Sequence, residues 1–406
     1  MHIPQELVDL IMNNLHDDVP SLKSCTLTAR TFVSSAQTWL FNKIEILPPR
    51  SLEGSDSESS CQRFYKLLTS SPHLAPLVHE LHIVLAGFET SFAYDEDENG
   101  DDIQARHVPW ISMSEVPLAL VLPLLSIKRI SLLENSSRWN SVGGDFSMDW
   151  NNHLERSLKS ALAAVFSSPT IESVHLRGIV VHSPAQLLSL FSEATSLKEL
   201  SLSRVYFTQR DPWPESQPWH PQLQSLLVSD IPSHPLCRYL LHPRIDLTHV
   251  TSVTIATEEE EWREKMVQAI ASSATRLHLY CPRFRTVTNF FTPTLSSVHF
   301  FTKDMAAFMF AVFAECPQSS LLEKMVFEGP NTLLPVRLRD TIESGVVHLS
   351  ALKTIELRAY LREYSDQSFD QWAAEVQSFL PSLVGRGLLT VTQIERGFDS
   401  PHHGWE

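Results

Sequence analysis

The sequence predicts an α/β chain in two parts: a three-helix unit over residues 1–46, then a long, irregular solenoid of alternating strands and helices. Three observations carry this. One apolar pattern returns at a near-constant interval between residues 171 and 357. Each return ends in an apolar–any–apolar triplet, the mark of a short strand with one buried face. Helix starts with capping residues fall between the triplets.

The pattern is apolar, two residues, apolar, one residue, apolar. It reads Ile171-x-x-Val174-x-Leu176, Leu197-x-x-Leu200-x-Leu202, Leu223-x-x-Leu226-x-Val228 and Val250-x-x-Val253-x-Ile255. It shortens to Leu277-x-Leu279, then resumes as Leu295-x-x-Val298-x-Phe300, Leu322-x-x-Met325-x-Phe327 and Leu352-x-x-Ile355-x-Leu357. Successive last positions lie 26, 26, 27, 24, 21, 27 and 30 residues apart. So narrow a band favours repeats of one strand and one returning helix over strands evenly spaced by chance. Two looser echoes precede it, Val78-x-x-Leu81-x-Ile83 and Ile127-x-x-Ile130-x-Leu132.

At the N-terminus, Ile3-Pro4-Gln5-Glu6-Leu7 leads into a helix with Leu7, Leu10, Ile11 and Leu15 on one face, ended by His16-Asp17 and Pro20. A second short helix carries Leu22, Cys25 and Ala29. A third carries Phe32, Ala36, Trp39 and Leu40 and runs into a strand, Ile44-Glu45-Ile46. Helices this few bury little surface, so the unit is expected to be completed by the following domain or by a partner. Residues 47–73 are a linker, with a mobile Ser-rich loop over 48–60 and a short helix from Cys61 to Leu68 ending at Pro72.

The repeat region spans 74–396 and is followed by a polar tail at 397–406. It carries an acidic insertion at 89–107, holding Glu89, Asp95, Glu96, Asp97, Glu98, Asp101 and Asp102. Asp95-x-Asp97-x-Asn99-Gly100 matches the first half of a calcium loop. The eighth and twelfth positions hold Asp102 and Arg106 where an apolar residue and Glu are needed. A solvated loop is the expectation.

Farther on, Asn152 with Glu155 caps a helix bearing Leu154, Leu158, Leu162, Val165 and Phe166, and Ser183-Pro184-x-Gln186 is a capping box. Thr257-x-x-Glu260 opens a helix with Trp262, Met266, Ala269 and Ile270 inward, its acids complementing the helix dipole. Met305 to Ala314 is apolar on nearly every side, as in a helix covered by neighbours. Phe369, Trp372, Val376, Phe379 and Leu380 mark the last helix, and Leu388 to Ile394 a closing strand. The Trp/Pro-rich stretch 211–221 is a loop pinned to the body by its rings.

Composition excludes several classes. With 47 acidic and 32 basic residues the formal charge is −15, and no Lys/Arg cluster offers a site for nucleic acid or anionic membranes. The five cysteines form no C-x-x-C pair and read as reduced thiols, so the chain is placed in the cytoplasm, the nucleus or both. No signal peptide opens it, and its longest apolar run, Met305 to Ala314, is too short to span a bilayer. No H-E-x-x-H, G-x-S-x-G, P-loop or G-x-G-x-x-G is present, and the eighteen histidines are scattered. A non-enzyme with no cofactor and no metal is expected.

Binding is expected on the strand face that turns away from the helices. Its first column is His175, Ser201, Leu227, Thr254, His278, His299, Val326 and Glu356. The next is Arg177, Ser203, Ser229, Ala256, Tyr280, Phe301, Glu328 and Arg358. Within these, His278, Tyr280, His299 and Phe301 combine histidines with aromatics on adjacent strands and are the candidate target-binding patch.

The repeat pattern resembles leucine-rich repeats from about residue 74 to 394, although that family's asparagine ladder is missing: Ile179, Val205 and Ile231 stand there. The N-terminal unit resembles an F-box, closest to the F-box proteins numerous in fungi, through Ile3-Pro4-x-Glu6-Leu7, the Leu10/Ile11/Leu15 stripe, Leu22, Cys25, Leu27, Arg30 and Trp39-Leu40-Phe41. Thr31-Phe32 departs from the basic residue and Trp common there. The combination implies a substrate-recognition subunit of an SCF-type cullin–RING ubiquitin ligase. It would dock a Skp-type adaptor, and through it a cullin, by Pro4, Leu7, Ile11, Leu15, Leu22 and Leu27, and hold a target protein on the repeats. The alternative is a non-catalytic repeat scaffold or ligand-binding protein whose N-terminal helices only cap the solenoid.

Overall fold

Thirteen strands pair in parallel, and the ladders do not close into a barrel. The computed structural model describes residues 3–48, 58–85, 87–89, 107–112, 117–134, 148–209, 221–229, 235–242, 245–257, 259–281, 290–315, 321–331, 334–360 and 368–394. The calcium-like motif, most of the Ser-rich, acidic and Trp/Pro-rich stretches, and the tail lie outside these residues. The chain divides into two units, Met1–Leu197 with Val205–Pro212 and Lys198–Arg204 with Trp213–Glu406, described in turn.

The first unit begins with α1 (Gln5–Asn14), α2 (Val19–Thr28) and α3 (Arg30–Asn42). Pro4 caps α1, its carbonyl accepting from the Leu7 and Val8 amides at 3.1 and 3.2 Å. Asp18 caps α2, accepting the Ser21 amide at 3.0 Å. Pro20 therefore starts α2 rather than merely ending α1, since a first-turn residue needs no amide hydrogen. Ala29 is extended (φ −154, ψ 145) and separates α2 from α3 instead of belonging to α2. The core joins Val8 and Met12 to Leu22 and Ala36, with Leu15, Cys25, Phe32, Trp39 and Leu40 packed around them.

After β1 (Lys43–Ile46) comes α4 (Ser60–Ser70), started by a reciprocal capping box between Ser59 and Gln62. β2 (Glu80–Leu85), the antiparallel pair β3 (Gly87–Glu89) and β4 (His107–Pro109), α5 (Leu118–Val121) and β5 (Arg129–Glu134) follow. Then come β6 (Met148–Asp149), α6 (Arg156–Phe166), β7 (Ser173–Val181) and α7 (Pro184–Ser189). The strand order is β1-β2-β5-β7, with β6 also on β7. Ile46 pairs with Ile83, Ile83 with Leu132, and Leu132 with Leu176, so both looser echoes are full strands in register. Two caps differ from expectation. Glu155, not Asn152, is the N-cap of α6, because Asn152 donates its amide and its side chain to Asp149. Ser183 accepts the Gln186 amide as expected, but Gln186 Oε1 reaches back to the amide of His182.

The second unit holds most of β8 (Glu199–Phe207), then β9 (Ser225–Ser229), α8 (Pro235–Leu240), β10 (Ser252–Ala256), α9 (Glu260–Ala269) and β11 (Arg276–Cys281). It continues with β12 (Ser297–Thr302), α10 (Met305–Glu315), β13 (Lys324–Pro330), α11 (Val336–Val347), β14 (Thr354–Tyr360), α12 (Phe369–Phe379), α13 (Pro381–Gly385) and β15 (Leu389–Gln393). Strands pair in sequence order, and the predicted last positions align one for one. Leu202 faces Val228, then Ile255, Leu279, Phe300, Phe327 and Leu357, and Val391 of β15 extends the row. These side chains are fully buried from Leu202 to Leu357. At the richest point Phe300 lies 4.8 Å from Phe308 and 5.6 Å from Phe327 between ring centroids, and Phe327 lies 5.9 Å from Phe313.

The inward face of α9 is displaced from expectation. Arg263, Met266, Val267 and Ile270 are buried, Trp262 is half-buried and Ala269 is exposed. Trp262 instead stacks against the Lys265 ammonium at 4.6 Å. Arg263 Nη1 donates to the carbonyls of Thr257 and Tyr280, which compensates for burying a cation.

Two of the positions where leucine-rich repeats carry asparagine, Ile179 and Val205, lie inside β7 and β8. Gly178 in β7 and Arg204 in β8 take left-handed backbone (φ 71 and 51) two residues after the last apolar position, and the next residues, Ile179 and Val205, are buried. Hydroxyls bond from one repeat to the next just before the strands. Thr251 Oγ1 donates to Gln224 O at 3.2 Å, Thr275 Oγ1 to Thr251 O at 3.2 Å, and Ser296 Oγ to Thr275 O at 3.0 Å.

Candidate functional site

The nominated residues fall on two surfaces, one in each unit. On α1, apolar side chains occupy a wider arc than the core uses. Val8 and Met12 point inward, while Leu7, Leu10 and Ile11 stay 51%, 57% and 44% exposed. Leu27, at the end of α2, is 88% exposed, and Ile3 and Val19 are also exposed. Pro4 is exposed at the helix start. Of the six nominated adaptor contacts, Pro4, Leu7, Ile11 and Leu27 are therefore surface residues and Leu15 is half-buried. Leu22 is a correction: with no exposed surface, it belongs to the core and cannot touch a partner directly. The arrangement is held from the polar side, where Ser35 of α3 donates to Asp9 of α1 and Gln5 donates to both. Those bonds from Ser35 and Gln5 hold the Asp9 carboxyl below its ordinary range.

On the second unit, the two predicted columns are real rows of the sheet. His278 pairs with His299 and Tyr280 with Phe301 across β11 and β12. Their ring centroids are 5.4 Å and 5.2 Å apart. The rows continue into charge. His299 Nε2 lies 3.0 Å from Glu328 Oε2, Arg358 Nε donates to Glu356 at 2.8 Å, and Lys324 Nζ sits 2.9 Å from Glu356. Burial alone would raise the Glu356 pKa, but hydrogen bonds from Arg358 and Lys324 outweigh it and leave the group lowered.

His278, Tyr280 and Phe301 are half-buried, whereas His299 is only 5% exposed. His299 is therefore a second correction: crowded between His278 and Glu328, it supports the patch and offers a partner almost no surface. Ser203 and Ser229 are likewise buried and hydrogen-bonded to each other at 2.8 Å, so that part of the column is closed. The missed parts of the site are Lys324 and Arg276, an exposed cation at the start of β11. Their signal was the strand position two residues before each first-column residue.

Burial, the neighbouring His299 and the charges of Arg276, Arg358 and Lys324 push His278 down to about 3, so it is neutral at pH 7. Its unfolded counterpart titrates near 6.5. Between these values the unfolded chain binds the extra proton, so stability falls as pH falls below about 6.5. His278→Gln is expected to flatten that dependence by up to about 1.4 kcal/mol per pH unit. Urea unfolding at pH 7 and pH 5 measures it, and an unchanged wild-type-like slope would contradict the assignment.

Two buried cysteines lie outside these surfaces. Burial pushes Cys61 up to about 12, and burial with the Glu259 charge does the same for Cys237, so neither supplies a thiolate at neutral pH. Among the described residues there is no cluster of three metal-ligating side chains, and no helix is long and apolar enough to cross a membrane. No protein-family model matches the chain, and no curated protein is significantly similar to it.

Proposed function

We propose that this chain is a substrate-recognition subunit of an SCF-type cullin–RING ubiquitin ligase. The F-box-like unit docks a Skp-type adaptor, and a target protein is held on the strand face around Tyr280, Phe301 and His278. The chain catalyses nothing itself. It raises the concentration of the target near the ubiquitin-carrying enzyme, in the cytoplasm or nucleus. The observation that carries the reading is the apolar surface left over on α1 and α2. Leu7, Leu10, Ile11 and Leu27 stay exposed although the same helices already bury a core of their own. A helix whose only duty was to cap the repeats would turn such residues inward or replace them with polar ones.

The test is co-purification of the full chain with a Skp-type adaptor, beside the Leu7→Asp/Ile11→Asp variant. Both side chains are already in water in the free protein, so the circular-dichroism spectrum should not change. Adaptor affinity should fall at least about 100-fold, roughly 3 kcal/mol for two carboxylates placed in an apolar contact. No adaptor binding by the wild-type chain would leave the second reading, a repeat scaffold or ligand-binding protein with an N-terminal cap.

A further inference from the structure

Among the described residues, β15 ends the ladder of the second unit and pairs with β14 alone. The Ile355 amide donates to Leu388 O at 2.7 Å, and the Ile394 amide donates to Ala359 O at 3.0 Å. Main-chain groups alternate in direction along a strand, so Leu388, Thr390, Thr392 and Ile394 serve β14. Leu389, Val391 and Gln393 then aim their N–H and C=O groups away from it.

Such an edge is a template for another strand unless it is guarded. β1, which among the described residues pairs only with β2, is guarded by exposed Lys43 and Glu45. β15 reads Leu-Thr-Val-Thr-Gln, with no charge and no proline. Its exposed or half-buried residues leave the edge incompletely covered.

We propose that β15 pairs antiparallel with β15 of a second copy of this chain, about a twofold axis at Val391. The strand is self-complementary in that register. Val391 meets Val391, Leu389 meets Gln393, and Thr390 meets Thr392. All three outward residues then occupy hydrogen-bonded positions, so every free donor and acceptor of one edge finds its counterpart on the other. Thr390 and Thr392 share the face of Glu356 and Arg358, where cross-strand threonine pairs are favourable. A chain of net charge −15 repels its own copy, and a neutral contact strand adds nothing to that repulsion. The palindromic Thr390-Val391-Thr392 segment is what favours a second copy over an unrelated strand, and isologous pairing closes at a dimer. The inference rests on the second unit and is independent of the adaptor reading.

Sedimentation of the full chain tests it. The mass should rise from 46.0 kDa at low concentration toward twice that value at about 100 µM, the range in which a small interface is populated. Val391→Pro deletes an outward N–H without touching a bond to β14, and should abolish the rise. Thr390→Glu/Thr392→Glu should do the same through like charges facing each other. Mixing that variant with Thr390→Lys/Thr392→Lys should restore a dimer. A wild-type mass that stays at 46.0 kDa overturns the proposal. So does a dimer that survives the glutamate pair, or a charge-swapped mixture that remains monomeric.

Discussion

Phe327→Ala is expected to lower the stability of the second unit by about 3–5 kcal/mol, the range for removing a fully buried aromatic ring. Phe327 has no exposed surface, and its ring sits between those of Phe300 and Phe313. Its removal takes away transfer free energy and ring–ring contact at once. It also leaves a cavity that cannot collapse easily, because the backbone on both sides is fixed by ladders to β12 and β14. Total stability of a domain is of the order of 5–15 kcal/mol, so the change is a large fraction of it. Urea unfolding followed by tryptophan fluorescence measures it. A loss under about 1 kcal/mol would mean that the ring is not packed as described.

Leu22→Ala and Leu27→Ala should behave as opposites, although both leucines lie in α2. Leu22 joins Val8, Met12 and Ala36 in the small helical core, so its truncation should cost about 2–5 kcal/mol. A three-helix unit has little stability of its own to absorb such a loss. Leu22→Ala should therefore loosen residues 3–42 and expose them to limited proteolysis. Leu27 is 88% exposed, and its truncation should leave stability within about 0.5 kcal/mol of wild type. If the proposed function holds, Leu27→Ala should weaken adaptor binding while the fold stays intact. Equal protease sensitivity of the two variants would contradict the core assignment.

The strands were legible in the sequence because a half-buried strand writes a period of two directly into its residues. Leu202, Val228, Ile255, Leu279, Phe300, Phe327 and Leu357 close the same short apolar pattern, and each pairs with the next in space. Helix faces were less legible, because an arc of apolar residues does not say which part of it faces the protein. On α1 the apolar spacing marked Leu7, Leu10, Ile11 and Leu15 as one face but gave no sign that Val8 and Met12 fill the core. On α9 the buried Arg263 could not be read as interior, since its acceptors are the carbonyls of Thr257 and Tyr280, which no residue pattern reveals. The hydroxyl series escaped for a related reason: Thr251, Thr275 and Ser296 are common surface residues, and only their carbonyl partners in the preceding repeat set them apart. In the candidate patch the rows were legible. The burial of His299 was not, because it depends on the long side chain of Glu328 reaching across from the next strand.

The hydroxyl series has a consequence for how such a chain can change over time. Thr251, Thr275 and Ser296 stitch the starts of β10, β11 and β12 to the backbone of the preceding repeat, while the connecting segments between these strands differ in length. Alignment is therefore set locally, at each stitch, and not by the length of the connector. Closing a longer connector costs little, since the entropy grows only with the logarithm of its length. Insertions between stitches can accumulate without disturbing the pairing of strands. A scaffold of this kind can diversify its loops residue by residue, or accept grafted ones, while its framework stays unaltered.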